Sequence, residues 1–322
     1  MFQLIRPDTN YDFVGKRFIW AGISGAAVLL TIVLFFTKGL NYGIDFTGGA
    51  EVQVRVPQNW EIGMVRSAIE QGGLEGARVQ QIGEPAAHEF LIKAQGDAST
   101  LNQVSGQVEA AISKQLKPGE YEIQRVDVVG PAAGKSLRMS GFLSMFYALL
   151  AILIYVGIRF DIRYAPGLVV ALFHDAIIVI GIFIVTGKQF DLQILAALLA
   201  LIGYSCNDTI VIYDRIREVL QIHPGMKIEV AVNKAVNETL GRSILTSVVT
   251  LLTVVALLFF GGNVIHDFAF ALTVGIIAGC YSTIFVASPF VIAISNYYDK
   301  RLAKQQGSSG GPGGAVRQPK TT

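Results

Sequence analysis

The sequence predicts an α-helical polytopic membrane protein with six transmembrane helices and one extracytoplasmic ferredoxin-like α+β domain. Three observations lead there. Of 322 residues, 52% are hydrophobic and only 16% are charged, too apolar a balance for a soluble globular chain. Six runs approach the roughly 20 apolar residues that a bilayer crossing needs. They lie near Ile19–Phe36, Phe142–Ile158, Ala165–Thr186, Leu192–Tyr213, Ser243–Phe260 and Phe268–Ile294. The one long polar interval, from Lys38 to Lys135, carries a β-α-β-β-α-β pattern.

The first run follows Lys16 and Arg17, as the core of a signal peptide would. It is long, however, and Thr37-Lys38-Gly39-Leu40 offers no small-residue cleavage site. It reads as an uncleaved helix over 19–37 behind a cytoplasmic segment 1–18. The interval 38–135 then reads strand Ala50–Val56, helix Trp60–Gln71, strand Ala77–Gly83, strand Glu89–Ala94, helix Ser99–Leu116 and strand Tyr121–Val129. Alternation in Glu51-Val-Gln-Val-Arg-Val56 and in Tyr121-Glu-Ile-Gln-Arg-Val126 predicts strands with one wet face. Asp97 and Ser99 are candidate caps for the second helix, and Lys117-Pro118-Gly119 stops it. Residues 136–297 hold the other five spans. Within them, 214–241 is polar with apolar spacing at Ile216, Val219, Leu220 and at Ile228, Ala231, Val232, Ala235, which predicts short helices along the membrane surface. The end, 298–322, turns Gly-, Ser- and Pro-rich from Gln305 and predicts a disordered cytoplasmic tail.

Charge placement sets the orientation. Arg6, Lys16 and Arg17 precede the first helix, and Arg159 and Arg163 join the second to the third. Arg215, Arg217, Lys227, Lys234 and Arg242 join the fourth to the fifth, and Lys300, Arg301 and Lys304 follow the sixth. The opposite short loops, 187–191 and 261–267, carry only Lys188 among Lys and Arg. The positive-inside rule therefore places both termini in the cytoplasm.

The chain is organised around Gly203–Glu218. Asp208, flanked by Asn207 and Thr209, falls inside an apolar run that turns charged at Asp214. A carboxylate in hydrocarbon costs about 2.5–3.5 kcal/mol on insertion scales, so such a group is retained where something uses it, as in a proton or ion path. The alternative is a hydrogen bond to a neighbouring helix. Tyr204 and Ser205 share a helix face with Asp208, which lies about 24 Å along the axis from Leu192. Arg242 opens the fifth helix, and Thr246, Thr250 and Thr253 repeat below it as a polar stripe. Two readings of Arg242 stay open: snorkelling to headgroups, or facing Asp208. In the second case the cation favours the carboxylate while burial favours the neutral acid, which suits a switch. Asp175, near the middle of the third helix, is a second buried acid that could join the relay.

Other chemistries find less support. His174 and Asp175 are adjacent and point about 100° apart, and no third ligand is evident for a metal. Cys206 and Cys280 lie in apolar runs and build neither a disulfide framework nor a thiolate zinc site. Gly22-Ile-Ser-Gly25 fits a short intramembrane serine-protease pattern, but no histidine in the last helix supplies a base. Tyr213-Asp214 matches half of an aspartyl-protease pair, at the membrane edge. The chain therefore reads as a non-enzyme without a cofactor. Ala271, Gly275, Gly279 and Thr283 make a close-packing face on the sixth helix.

Four stretches carry a family resemblance: Gly43-Ile-Asp45-Phe-Thr-Gly48-Gly49, Ala171-Leu-Phe-His-Asp175, Gly203–Glu218 and Asn237-Glu-Thr-Leu-Gly-Arg242. In these the chain resembles the SecF branch of the SecD/SecF family, within the resistance-nodulation-division superfamily, from end to end except for the tail. Cys206 departs mildly from the small apolar residue expected there. The resemblance implies half of a transporter in the bacterial inner membrane, completed by SecD. It also implies work beside the SecYEG channel with YajC and YidC, using the proton gradient to pull on unfolded preprotein from outside. By motif position it makes Asp208 the proton-carrying acid and Arg242 its charged neighbour. Two rivals stand beside this reading: a passive scaffold for the translocon, and half of a small-molecule exporter.

Overall fold

Proline, glycine and one carboxylate set the helix ends. The computed structural model describes residues 10–309 apart from 75, 84, 95–102 and 161–162. Helix α1 spans Arg17–Thr37, and a one-turn helix α2, Ile44–Thr47, follows. The small domain then runs β1 Gly49–Arg55, α3 Ile62–Gln71, β2 Arg78–Ile82, β3 Glu89–Ala94, α4 Val104–Ser113 and β4 Glu122–Val129. The bundle continues with α5 Pro131–Arg159, α6 Ala165–Thr186, α7 Leu192–Ile222, α8 Ile228–Phe260 and α9 Gly262–Ser282. A π-helical turn, Thr283–Ala287, links α9 to α10, Ser288–Ser309. Among the described residues six helices are long and apolar enough to cross a membrane: α1, α5, α6, α7, α8 and the α9–α10 unit.

Local signals explain several ends. Pro131 starts α5 within its first turn, where its missing N–H is no loss. Gly187 closes α6 in the left-handed conformation, φ +68°. The Asp191 carboxylate caps α7 by accepting from Ile194 N at 3.0 Å.

The sheet has the order β2-β3-β1-β4 with every neighbouring pair antiparallel, the arrangement of a split β-α-β unit. Alternation places Val52, Val54, Phe90 and Ile92 on one face, where they share a core with Val65, Ile69, Val108 and Ile112 of α3 and α4. The opposite face holds Glu51, Gln53 and Lys93.

Four sequence expectations need correction. Helix α5 begins at Pro131 rather than Phe142, so the division at 135/136 falls inside a helix. Its first turns are too polar to read as a span, yet they continue the same hydrogen-bond ladder. The stretch 214–241 is not a set of separate surface helices: α7 runs on to Ile222 and α8 begins at Ile228, giving one long hairpin. Its amphipathic spacing marks the packing of this hairpin, where Ile216, Val219, Ala231, Val232 and Ala235 are buried. Helix α4 ends at Ser113, short of Leu116, and the candidate caps Asp97 and Ser99 lie outside the described residues. Helix α10 reaches Ser309, so 298–309 is helix rather than coil, and 310–322 lies outside the described residues.

Candidate functional site

Helices α6, α7, α8 and the α9–α10 unit meet around a polar cluster in the bundle. Asp175 on α6 is 1% exposed. It accepts hydrogen bonds from Ser205 Oγ at 2.7 Å and Ser282 Oγ at 2.9 Å, and His174 Nδ1 lies 3.1 Å away. The His174 ring stacks on Tyr281 at 5.9 Å. Gly279 makes this nest possible: a Cβ there would stand 3.0 Å from Ser205 Oγ and 3.5 Å from Asp175 Oδ2.

Asp208 is one helical turn beyond Ser205 and is also buried. Among the described residues its hydrogen-bond partners come from α8: Thr246 Oγ1 at 3.3 Å and Ser247 Oγ at 3.3 Å. Both contacts are long for O–H donors to an acid. Arg242, exposed one turn before Thr246, is near enough to act on Asp208 electrostatically. No ion pair within 4.0 Å joins the two among the described residues.

The remaining expected residues separate. Thr209 is fully buried and shares a hydrogen bond of 3.0 Å with Thr283. Asn207 is exposed on the outside of α7. Tyr204 packs against Val254 and Ile276, and its buried hydroxyl has no partner among the described residues. Thr250 bonds the Thr246 carbonyl and Thr253 the Val249 carbonyl, so the lower stripe is closed on its own helix. Ser205 serves Asp175 rather than Asp208. Ser247, Ser282 and His174 are partners the sequence reading missed. Their signal was polar residues at i and i+1 inside apolar helices, and the π turn, with Ser288 Oγ bonded back to the Thr283 carbonyl at 3.0 Å, places Ser282 and Thr283 inward. Ser24, of the protease-like stretch, pins α1 to the α9–α10 unit through Tyr281 Oη at 2.9 Å.

The glycine motif forms the joint between domain and bundle. Gly48, at φ +75°, lies so close to α5 that a Cβ would come within 2.6 Å of Pro131 Cα. Gly43 N donates to the Phe190 carbonyl at 2.8 Å, just before α7. Asp45 Oδ2 accepts from Leu192 N at 3.0 Å, so α7, the helix that carries Asp208, is capped from the motif. Beside it, burial first and the neighbouring Asp45 and Asp267 second push the Asp191 carboxyl up to about 6. Gln189 bonds Glu51 at 2.6 Å and also Lys93, whose ammonium is 3.2 Å from Glu51. Burial pulls the Lys93 ammonium below its ordinary range. At the other end, Arg215 Nε binds Glu238 at 2.6 Å, tying α7 to α8, while Asn237 and Asn233 hold the backbone of Tyr11 and Phe13.

These geometries fall on the matched families. The family described as protein export membrane protein SecD/SecF, C-terminal, matches residues 108–297, and the SecD/SecF GG motif matches 33–57. The chain is 41% identical over 297 residues to the protein translocase subunit SecF of Calditerrivibrio nitroreducens, covering 91% of this chain and 97% of that one. It is 39% identical to SecF of Pseudomonas aeruginosa over 87% of this chain and 90% of that one. In Brucella abortus, a protein translocase subunit SecDF matches 90% of this chain with 38% of its own length, at 38% identity. The solved SecDF of Thermus thermophilus, a translocon-associated membrane protein, aligns with TM-score 0.82 and 35% identity over 90% of this chain. The chain spans 39% of that SecDF. A SecDF structure in a super-membrane-facing form aligns at TM-score 0.67 and 35% identity, over 95% of this chain and 41% of that one. With the family match over more than half of the chain and SecF relatives at about 40% identity over most of it, the chain belongs to the SecD/SecF family of protein-export membrane proteins.

Proposed function

We propose that this chain uses the proton-motive force to assist protein translocation, with Asp208 taking up and releasing the proton. The carrying observation is the unfinished shell of Asp208. The acid is buried in the bundle and reached by two hydroxyls at 3.3 Å, without an ion pair among the described residues. Exposed Arg242 and Asn207 stand on the flanking surfaces of α8 and α7. A buried charge needs either a proton or a partner cation, and a flank left open gives both a way in. SecD is the partner that completes this flank; the SecDF relatives, in which one chain holds both parts, support that assignment. Arg242 is the switching charge, and Thr246 and Ser247 position the carboxylate.

Movement reaches the outer domain through the joint. Asp45 caps α7, and Gly48 is wedged on α5, so a shift of α7 displaces the base of the sheet. The existence of SecDF in a named super-membrane-facing form is consistent with such a movement. In this reading both termini are cytoplasmic, and the domain engages unfolded preprotein leaving the SecYEG channel, with YajC and YidC as associates. One charge crossing the full potential is worth about 2.3 kcal/mol per 100 mV, enough to bias a conformational cycle.

The test is translocation into sealed vesicles with and without a proton gradient. Asp208→Asn should remove the gradient-dependent part while membrane level and SecD association stay normal. A gradient response that survives this substitution, or a contribution unchanged when the gradient is dissipated in the parent protein, assigns a passive scaffold instead.

A further inference from the structure

On the sheet-domain side of the bundle a cleft of about 780 Å³ lies between α3 and β2 above and the last turns of α1 and α6 below. Its wall is basic: Lys38, Arg66, Arg78 and Lys93 line it, against the single described acid Glu70. Lys93 is held by Glu51, and Lys38 donates to the Val185 carbonyl at 3.2 Å. Arg66 and Arg78 are exposed, and among the described residues neither has a carboxylate within 4.0 Å. The end of α6 closes the cleft from below, at Phe183 and Ile184, whose side chains are buried in the bundle, and at Gly187.

The level of the cleft narrows its occupant. Lys38 directly follows the last residue of α1, so the cations sit where hydrocarbon gives way to headgroups. Just below, Phe36 is 81% exposed and Val185 57% exposed, facing outward from α1 and α6. Snorkelling accounts for Lys38 on its own. It does not account for two exposed arginines brought to the same cup by a different domain, neither with a carboxylate partner among the described residues. A basic cup above an open apolar flank matches a phosphodiester carrying acyl chains.

We propose that this cleft binds an anionic phospholipid of the leaflet on the sheet-domain side, with Arg66 and Arg78 on its phosphate. Guanidinium groups suit that contact because they meet phosphate with two parallel donors. The acyl chains lie along the outer side of α1, which is apolar from Phe18 to Phe36. Such a lipid fastens the β2–α3 edge of the domain to the bilayer, at the opposite edge of the sheet from β4 and α5. The site depends on the membrane placement of the helices and not on the relay, so Asp208→Asn leaves it intact.

The experiment titrates the purified full-length chain in neutral detergent with phosphatidylglycerol, phosphatidylcholine or glycerol 3-phosphate, and counts bound molecules by native mass spectrometry. Phosphatidylglycerol should bind best, and Arg66→Gln with Arg78→Gln should weaken it about fivefold per arginine, in line with surface charge contributions. Arg66→Lys with Arg78→Lys, which keeps the charge, should lose less. Equal binding of phosphatidylcholine, or unchanged phosphatidylglycerol binding in the glutamine pair, overturns the proposal. Displacement of the lipid by equimolar glycerol 3-phosphate makes this a free-phosphate site, and displacement by an acidic peptide assigns the cleft to polypeptide; either result also overturns it.

Discussion

Asp175 and Asp208 are near neighbours in the bundle, since Ser205, which donates to the first, stands one turn before the second. They are treated in opposite ways. Asp175 draws partners from three helices of this chain, two of them hydroxyls within 2.9 Å, and Gly279 is shaped to let them close. Asp208 has two long contacts from one helix and an arginine held off at its side. Burial alone therefore does not distinguish an acid whose shell is closed within the chain from one whose shell is left open. What differs is whether the chain completes the shell by itself. A carboxylate already closed in has little to gain from a moving partner, whereas one half-closed changes state when a second half approaches.

The sharpest way to break this comparison is to remove each carboxylate in turn. Asp175→Ala strands the buried Ser205 hydroxyl and His174 and leaves Ser282 only the Gly279 carbonyl, and should cost about 3–5 kcal/mol in unfolding titrations in detergent. Asp208→Ala gives up two 3.3 Å contacts and should cost less than about 1 kcal/mol, while gradient-dependent translocation is lost. Equal stability losses would make Asp208 a packing group like its neighbour.

Gly279→Ala sharpens the same contrast with a smaller effect. The new methyl presses on Ser205 and on Asp175 Oδ2, both set in rigid helices, so about 1–3 kcal/mol of stability should go. The Asp208 contacts come from α8 and should be left in place, so residual activity per folded molecule should stay near that of the parent. Activity falling in step with Asp208→Asn, at normal stability, would join the two acids into one relay.

Much of this was legible in residues. Leu192 opens α7 as expected because Asp191 caps it and an apolar run follows, and Ala165–Thr186 was readable from proline at one end and glycine at the other. The sheet was readable from the alternation along its two central strands, β1 and β3. The long hairpin of α7 and α8 was not, since a helix leaving hydrocarbon keeps its backbone ladder while losing the apolar signal that marks a span. In the site, Asp208 with Thr246 was legible from helical periodicity. Ser205 was placed with the wrong acid, because a serine one turn from Asp208 lies on a face shared with α6, and only packing decides which neighbour it meets. The π turn was invisible for a related reason: an extra residue per turn leaves no compositional mark, yet it moves Ser282 onto Asp175.

A third acid, at the water edge of α7, separates burial from neutralisation most finely. The Asp191 carboxyl, raised from 3.8 to about 6, binds its proton more readily in the folded chain than in the unfolded one. The stability it contributes is therefore fully present below about pH 4 and is lost as pH rises through about 6. Two pKa units set a ceiling of about 3 kcal/mol, and partial contact with water reduces the expected change to about 1 kcal/mol. Asp191→Asn keeps an oxygen for Ile194 N, since asparagine also caps helices, and carries no titrating proton. The melting temperature of the parent minus that of Asp191→Asn should fall between pH 4 and pH 7 by a few degrees. A flat difference would mean that water, and not Asp45 and Asp267, surrounds this carboxylate, and that the joint at the head of α7 is looser than the packing of Gly43 against Gln189 implies.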